Sequence, residues 1–434
     1  MKELLVRGVR GALPQGAVKK LESTYRKGRV RLIRAQYGNP SKRLKVIAIT
    51  GTNGKTTTLN YINEILKEAG LKTAMFTTAV IEVAGNRRIN DLNATVATTA
   101  QMQRFFQEAK RAKADFTLLE VTSHALDQHK LDGVPIHMAI MTNLTQDHLD
   151  YHGTMEKYAA AKAKLFMGQP EFVVLNRDDE WFEYFDKYDA ASQKITYGKH
   201  DEAEAKIERV KLFRKGTEAT VVIDHQTKLE LATALPGEFN AFNMTAAAAA
   251  AYLLGAKVDD IVEGIANLDG VPGRFERVET GKDYDVIVDY AHTPDALEKL
   301  LDASKSIAKN RVILVFGATG DRDKIKRPIM GEIASRLADR IILTDEESYN
   351  EDPDKIRADV MAGIEKAKGT AKTTEVADRR EAIKKALSVA KKGDMVLITG
   401  MGHEKFRIIN GKKEPWNDAD VVKDILENRA EPSS

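Results

Sequence analysis

Lysine and threonine side chains close the stretch Lys45-Val-Ile-Ala-Ile-Thr-Gly-Thr-Asn-Gly-Lys-Thr-Thr-Thr58, in which an apolar run passes through a glycine-bearing turn into a helical pattern. Strand, turn and helix start are the context of a phosphate-binding loop. Gly51 and Gly54 free the backbone N–H groups of the Gly51–Gly54 turn, Thr52 and Asn53 included, to point inward at phosphate oxygens. Lys55 reaches the terminal phosphates, and Thr56, with Thr57 beside it, offers a hydroxyl to Mg2+. Ile49 stands where the common form of this loop has its first glycine. Two further acidic or imidazole positions lie at strand ends. Glu120, in Leu118-Leu-Glu-Val-Thr-Ser-His-Ala-Leu126, suits a metal ion or a helix cap. Met141-Thr-Asn-Leu-Thr-Gln-Asp-His-Leu-Asp-Tyr-His152 holds two His and two Asp in six residues, so His148 reads as a metal ligand or as a satisfied surface histidine. Lys162, in a helix rich in alanine and lysine, is indistinguishable by composition from a solvated face.

The elements that must position these groups alternate in type from residue 44 onward. Val46–Thr50, Phe116–Val121, 137–142 and 172–175 read as buried strands among helices, which predicts a parallel sheet. Alternation of polar and apolar residues over 190–232 predicts an antiparallel edge, and the six alanines 246–251 predict a closely packed helix. After the turn Gly270-Val-Pro-Gly273 a second α/β series begins, with strands expected at 285–290, 311–317, 340–344 and 395–399. The expected organisation is a short basic segment (1–43), a central P-loop, parallel-sheet ATPase domain (44–273) and a Rossmann-like C-terminal α/β domain (274–434).

Composition narrows the function. The chain has 434 residues, too many for one core, is 43% apolar and 30% charged, and carries a net charge of +3. Residues 1–45 hold 13 basic and 2 acidic side chains, so the remainder is acidic and is not built for nucleic acid. The absence of cysteine excludes disulfides, thiolate nucleophiles and zinc–sulfur sites. No apolar run approaches the roughly 18 residues that cross a bilayer, and Arg7 and Arg10 interrupt any secretion signal, so a cytoplasmic protein is expected.

Seven motifs in order resemble the Mur ligases, ATP-dependent amide-forming enzymes of cell-wall peptide assembly. They are Thr50-Gly-Thr-Asn-Gly-Lys-Thr-Thr57, Glu120-Val-Thr-Ser-His124, Thr142–Gly153, Tyr158-Ala-Ala-Ala-Lys162, Gly270-Val-Pro-Gly-Arg-Phe-Glu276, Asp289-Tyr-Ala-His-Thr-Pro-Asp-Ala-Leu297 and Gly320-Asp-Arg-Asp-Lys324. The likeness runs over about residues 44–420 and is greatest to the branch adding the third amino acid, the UDP-N-acetylmuramoyl-tripeptide synthetases. It implies ATP and Mg2+, transfer of the γ-phosphoryl group to a carboxylate of a muramoyl-peptide-type acceptor, and attack by an amino acid's amine. It further implies Lys55 on the β and γ phosphates, Thr56 and Glu120 on one Mg2+, and His148 on a second. Lys162 matches a lysine that the family carbamylates. Asn240 and Asn243 match the adenine side, Arg274 the γ-phosphate and Asp289 the ribose. Thr98, Thr99, Thr122, Gln128 and Lys130 match acceptor-binding positions, Lys130 replacing an expected arginine; Arg322, Gly400 and Glu404 match amino-acid-binding ones. A monomer is implied.

The chain departs from the family in two places. Only about 44 residues precede the first strand where relatives carry a uridine-nucleotide-binding domain. That segment, with Leu4, Leu5, Val6, Val9, Val18, Leu21, Tyr25, Val30, Leu32 and Ile33 among its cations, reads either as a helix at an anionic membrane surface or as a helix packed on the core. In place of the Asp-Asn-Pro-Arg motif that grips diaminopimelate stands Thr344–Pro353, where Tyr349 replaces the arginine and Glu346 and Glu347 add negative charge. An acidic pocket favours a cationic amino acid such as lysine or ornithine. Two alternatives remain: a ligase for another carboxylate, as in folylpolyglutamate synthesis, and a Mur-like module that binds ATP without forming a bond.

Overall fold

The chain is described here by a computed structural model covering residues 15–90 and 97–427. Its first sheet has eleven strands: β1 (Val46–Thr50), β2 (Thr73–Phe76), β3 (Val80–Val83), β4 (Asn86–Ile89), β5 (Phe116–Glu120), β6 (Ile136–Met141), β7 (Phe172–Asn176), β8 (Gln193–Gly198), β9 (Ala205–Phe213), β10 (Gly216–Ile223) and β11 (Thr227–Thr233). They lie in the order β11-β10-β9-β8-β7-β6-β1-β5-β2-β3-β4, and neighbours from β9 through β2 run parallel. All five residues of β1 are buried, as an apolar run covered on both faces requires. One face carries the helices Lys55–Glu68, Glu238–Leu253 and Val258–Ala266, the other Thr99–Arg111 and Met155–Ala163.

The antiparallel edge is shorter than the sequence suggests. β8 is still parallel to β7, and only β9–β11 form a meander. The β2–β3–β4 meander at the opposite edge carries no apolar alternation that sequence reading could use, because Asn86-Arg-Arg-Ile89 is exposed throughout. Ala246–Ala251 are wholly buried in Glu238–Leu253, against the helix that starts at Lys55. From the helix Val258–Ala266, Gly264 packs so close to the helix Lys55–Glu68 that a Cβ there would lie 2.4 Å from Ile65 Cα. Small residues thus let two helices clamp the helix that follows the phosphate loop.

A second sheet, β12 (Glu276–Val278), β13 (Asp285–Asp289), β14 (Val312–Phe316), β15 (Arg340–Leu343), β16 (Thr373–Glu375) and β17 (Met395–Thr399), has the order β12-β13-β17-β14-β15-β16, parallel except for β12. A hairpin of β18 (Phe406–Ile409) and β19 (Lys412–Pro415) follows. The end of β17 is held by Arg379, which donates to Thr399 O at 2.8 Å and pairs with Asp418 at 2.7 Å, both side chains fully buried. Removing one partner of such a pair costs about 3–5 kcal/mol, which fixes the loop that carries Gly400 and Glu404.

The strand ends of the two sheets face each other. Asn53 Nδ2 donates to Asp295 Oδ2 at 2.8 Å, Gln146 Nε2 to Asp323 Oδ2 at 3.3 Å, and His403 Nε2 to Thr78 O at 3.1 Å. Away from this cleft, Arg214 makes a bidentate pair with Asp285 at 2.7 and 2.8 Å. Before the first strand, the helix Gln15–Gln36 packs on the central domain: Val30 is buried, and Arg34 donates to Asp132 O at 2.7 Å and to Gly133 O at 2.5 Å. The positions Leu4, Leu5, Val6 and Val9 lie outside the described residues. Among the described residues no helix is long and apolar enough to cross a membrane.

Candidate active site

The turn after β1 is shaped by the end of β6. Gly51 has φ 148°, and a Cβ on it would fall 1.8 Å from Thr142 Oγ1; Gly54 has φ 84°, with Asn243 Oδ1 2.4 Å from the corresponding point. Both positions therefore require glycine. Thr142 Oγ1 donates to Asn53 O at 2.7 Å, and Asn53 N–H donates to Asn143 Oδ1 at 2.9 Å, which locks the turn against the neighbouring strand. Thr52 Oγ1 donates to Thr145 O at 3.2 Å. Lys55 Nζ folds back onto Gly51 O at 3.1 Å and Thr52 O at 2.7 Å, inside the loop, where burial pushes its ammonium below its ordinary range.

At the helix start, Thr56 Oγ1 donates to Glu120 Oε2 at 2.8 Å, and Thr78 N–H donates to the same carboxylate oxygen at 3.0 Å. These are hard oxygen donors beside a phosphate loop, the set that suits Mg2+, which takes one or two protein ligands and completes its shell with phosphate and water. Among the described residues no three His, Cys, Asp or Glu side chains converge as a metal cage. His148 has left-handed backbone (φ 54°), and its Nε2 lies 3.3 Å from Asp147 Oδ2. Burial holds its imidazole down to about 3, against the opposing pull of Asp147, so it is a neutral lone-pair donor. Burial alone would raise Asp147, but Lys326, His148 and His292 overcome it and hold the carboxyl well below its usual range. Lys326, from the C-terminal domain, is buried 3.6 Å from Asp147 Oδ1.

Lys162 is 1% exposed, donates to Gly51 O at 2.7 Å and lies 4.6 Å from the Tyr158 ring centre. Burial first, and Lys55 next, drive its amine well below the normal lysine range.

Across the hinge, Arg274 Nη2 donates to Thr56 Oγ1 at 3.3 Å, and its guanidinium stacks 4.6 Å from the Tyr290 ring centre. The structure thus brings Lys55, Thr56, Glu120, Lys162 and Arg274 to one place, with His148 on the adjoining strand end. Asp289 is committed locally: Oδ2 accepts from Phe275 N at 2.6 Å and Oδ1 from Ala291 N at 2.7 Å, each oxygen keeping a further lone pair. Asn240 and Asn243 are buried and bonded to each other at 3.0 Å, the latter against Gly54.

The positions expected from sequence to meet the acceptor lie on a neighbouring stretch. Thr98 caps the helix Thr99–Arg111 in a reciprocal box with Gln101, Thr122 caps Ser123–Asp127, Gln128 ends that helix, and Lys130 Nζ donates to Ala97 O at 3.0 Å. In the C-terminal domain, Arg322 lies 5.0 Å from the Tyr349 ring centre and Tyr349 OH donates to Glu347 Oε2 at 3.1 Å. Glu404 accepts from Tyr290 OH at 3.5 Å, while Gly400 (φ 105°) leaves room for Glu346 Oε2, 2.2 Å from where its Cβ would be. Burial, then Glu404 and Glu346, push the Glu347 carboxyl up to about 7. Thr78, Lys326 and His403 are site neighbours that sequence reading did not single out. Each joins only through the fold, and none carries a local motif.

Comparison with known proteins follows the same lines. A model of the Mur ligase middle domain matches residues 49–251, and one of the Mur ligase, glutamate ligase domain matches 273–402. The UDP-N-acetylmuramoyl-L-alanyl-D-glutamate–2,6-diaminopimelate ligase of Geobacillus kaustophilus (strain HTA426) is 40% identical over 417 residues, 94% of this chain and 84% of that protein. The enzyme of that name from Aquifex aeolicus (strain VF5) is 42% identical over 391 residues, covering 90% and 79%. A solved structure of a ligase so named is 34% identical with a TM-score of 0.62, covering 90% of this chain and 79% of that one. Mycobacterium tuberculosis folylpolyglutamate synthase, at 19% identity and a TM-score of 0.71 over 86% and 92% of the two chains, shares the fold alone.

The chain belongs to the Mur ligase family, ATP-dependent and ADP-forming enzymes that make amide bonds. Within the family, these 34–42% identical relatives are diaminopimelate-adding ligases. Because Arg274 reaches the phosphate loop only by spanning the cleft, Arg274→Ala is expected to lower kcat by about 10²–10³-fold while ATP still binds. Steady-state ADP release with equilibrium ATP binding checks this; an unchanged kcat would remove Arg274 from the site.

Proposed function

We propose that this ligase joins an amino acid to a carboxylate of a muramoyl-peptide acceptor, after ATP has activated that carboxylate as an acyl phosphate. The observation that carries the reading is the meeting of Arg274 with Thr56 and Glu120 at the phosphate loop. Lys55 and Arg274 neutralise the charge of the transferring phosphoryl group from opposite sides of the cleft, which is the principal requirement of phosphoryl transfer. Thr56 and Glu120 would hold one Mg2+ and His148 a second; bound there, the ions supply charge neutralisation and alignment of phosphate oxygens. On this reading Asn240 and Asn243 flank the adenine and Asp289 meets the ribose. Thr98, Thr99, Thr122, Gln128 and Lys130 receive the acceptor. The enzyme works in the cytoplasm as a monomer.

Lys162 suits carbamylation. Its buried amine, held well below the normal lysine range, can add to CO2 with loss of a proton, and the resulting anion would lie beside Lys55 rather than oppose it. Lys162→Ala is expected to abolish turnover, with partial recovery on adding short carboxylic acids; full activity without them would exclude the role.

The relatives are named for diaminopimelate, whereas this chain crowds Glu346, Glu347 and Glu404 around Tyr349 and Arg322. The reading is therefore that the incoming amino acid carries a distal cation, as lysine and ornithine do. Glu347 ionises as pH rises through about 7, so KM for lysine should fall by about tenfold between pH 6 and 8. A preference for diaminopimelate, with a flat lysine profile, would contradict this.

The reaction class is tested with ¹⁸O in the acceptor carboxylate. A ligase of this kind delivers label into the released phosphate. Unlabelled phosphate would instead mean a module that hydrolyses ATP, and no released phosphate one that merely binds it.

A further inference from the structure

Lys326 opens the helix Lys326–Leu337 in the C-terminal domain, yet its side chain lies against the central one. It is 3% exposed, and its Nζ stands 3.6 Å from Asp147 Oδ1, beyond hydrogen-bond reach. Asp147 is already engaged by its chain neighbour: Oδ1 accepts from His148 N–H at 2.9 Å, and Oδ2 lies 3.3 Å from His148 Nε2. Among the described residues the Lys326 ammonium donates no hydrogen bond. A buried ammonium with its donors unmet is costly to keep, and a ligand oxygen would relieve it.

Contacts place this ammonium between the two halves of the reaction. On one side, the His148 and Tyr158 ring centres are 6.2 Å apart, Tyr158 OH is bonded to Thr52 Oγ1 at 3.3 Å, and Lys162, beside the same ring, donates to Gly51 O. The phosphate loop thus begins a few side chains away. On the other side, the loop 320–325 that leads into the helix carries Arg322, which lies over the Tyr349 ring in the pocket read as taking the amino acid. Gln146 Nε2 ties that loop to the central domain by donating to Asp323 Oδ2 at 3.3 Å. Lys326 therefore lies where a carboxyl activated at the phosphate loop would meet an amine arriving from that pocket.

We propose that Lys326 is a catalytic residue of the second half-reaction, donating to the carbonyl oxygen of the acyl phosphate as the amine attacks. The proposal rests on the ligase reading and deepens it. The amine's lone pair forms the C–N bond while the carbonyl's π pair moves onto oxygen, where the Lys326 ammonium offsets the new charge. Collapse breaks the C–O bond to phosphate, which departs with that electron pair and takes the proton that nitrogen sheds. Lys326 keeps its own proton. The preceding phosphoryl transfer is served by Lys55, Arg274 and the N–H groups of the loop.

The test is a rapid-quench single turnover of the full-length enzyme with ATP, Mg2+, a UDP-linked muramoyl dipeptide and lysine, or diaminopimelate if wild type prefers it. Wild type, Lys326→Met and Lys326→Arg are compared. ADP and amide are measured separately, and acyl phosphate is trapped by borohydride reduction to the alcohol. In Lys326→Met, ADP is expected within about threefold of the wild-type rate and amide about a hundredfold or more slower, with trapped alcohol accumulating and ATP affinity unchanged. Lys326→Arg, which keeps the charge beside Asp147 but moves the donor, should recover part of the loss. ADP and amide slowed together would make Lys326 a strut between the domains and overturn the proposal, as would amide formed at the wild-type rate. Should Lys326→Met melt below the assay temperature, Lys326→Arg decides alone, and amide keeping pace with ADP in it would overturn the proposal. A wild type that cleaves ATP without forming amide fails the ligase reading itself and takes the proposal with it.

Discussion

Arg274 crosses from one domain to the other to meet Thr56, and the chemistry proposed for the cleft depends on that contact being made in register. The phosphate loop alone supplies a lysine, two glycine-shaped turns and a hydroxyl, all on the central sheet. Phosphoryl transfer needs charge on both sides of the moving group, and the second side exists only when the C-terminal sheet turns its strand ends toward the first. Asn53 with Asp295, Gln146 with Asp323 and His403 with Thr78 hold that arrangement at several points around the cleft. The pair of Arg214 with Asp285 ties the domains together away from the cleft.

The electrostatics of the closed cleft have a consequence for what it accepts. Lys55, Lys162, Lys326 and Arg274 gather around Glu120 and Asp147, so cations outnumber carboxylates in a largely water-poor space. Lysines so placed are held below their usual range, or lean on backbone carbonyls as Lys55 and Lys162 do on Gly51. A magnesium-bound triphosphate would bring the missing negative charge. The opposite imbalance holds in the C-terminal domain, where Glu346, Glu347 and Glu404 crowd together and Glu347 retains its proton up to about pH 7. One end of the cleft thus favours an anion and the other a cation, as expected of an enzyme that joins an activated acid to an amine.

What sequence could reveal divides along physical lines. A parallel sheet buried on both faces writes itself as continuous apolar runs, which is why β1, β5, β6, β13, β14 and β17 were legible. The phosphate loop was legible because its glycines, lysine and threonine must be contiguous. The exposed β4 was not, since no apolar period marks a strand with both faces in water, and β8 looked antiparallel because only its pairing with β7 distinguishes it. Thr78, Lys326 and His403 approach the site through the tertiary fold, so no local spacing announces them. Asp289 matched a family pattern as a nucleotide contact, yet its oxygens also hold the backbone at Phe275 and Ala291, a structural duty invisible in the motif. Helix or membrane segment was an open choice for the basic N-terminal stretch; the burial of Val30 and Arg34 shows its described part packed on the core.

The most direct test of the account is a crystal structure with Mg2+ and a non-hydrolysable ATP analogue. It should show Lys55 Nζ released from the Gly51 and Thr52 carbonyls onto the β and γ phosphates, with Arg274 closing on the γ-phosphate from the opposite domain. Nucleotide bound with Lys55 still turned into its own loop, or with Arg274 directed away from it, would contradict the central claim.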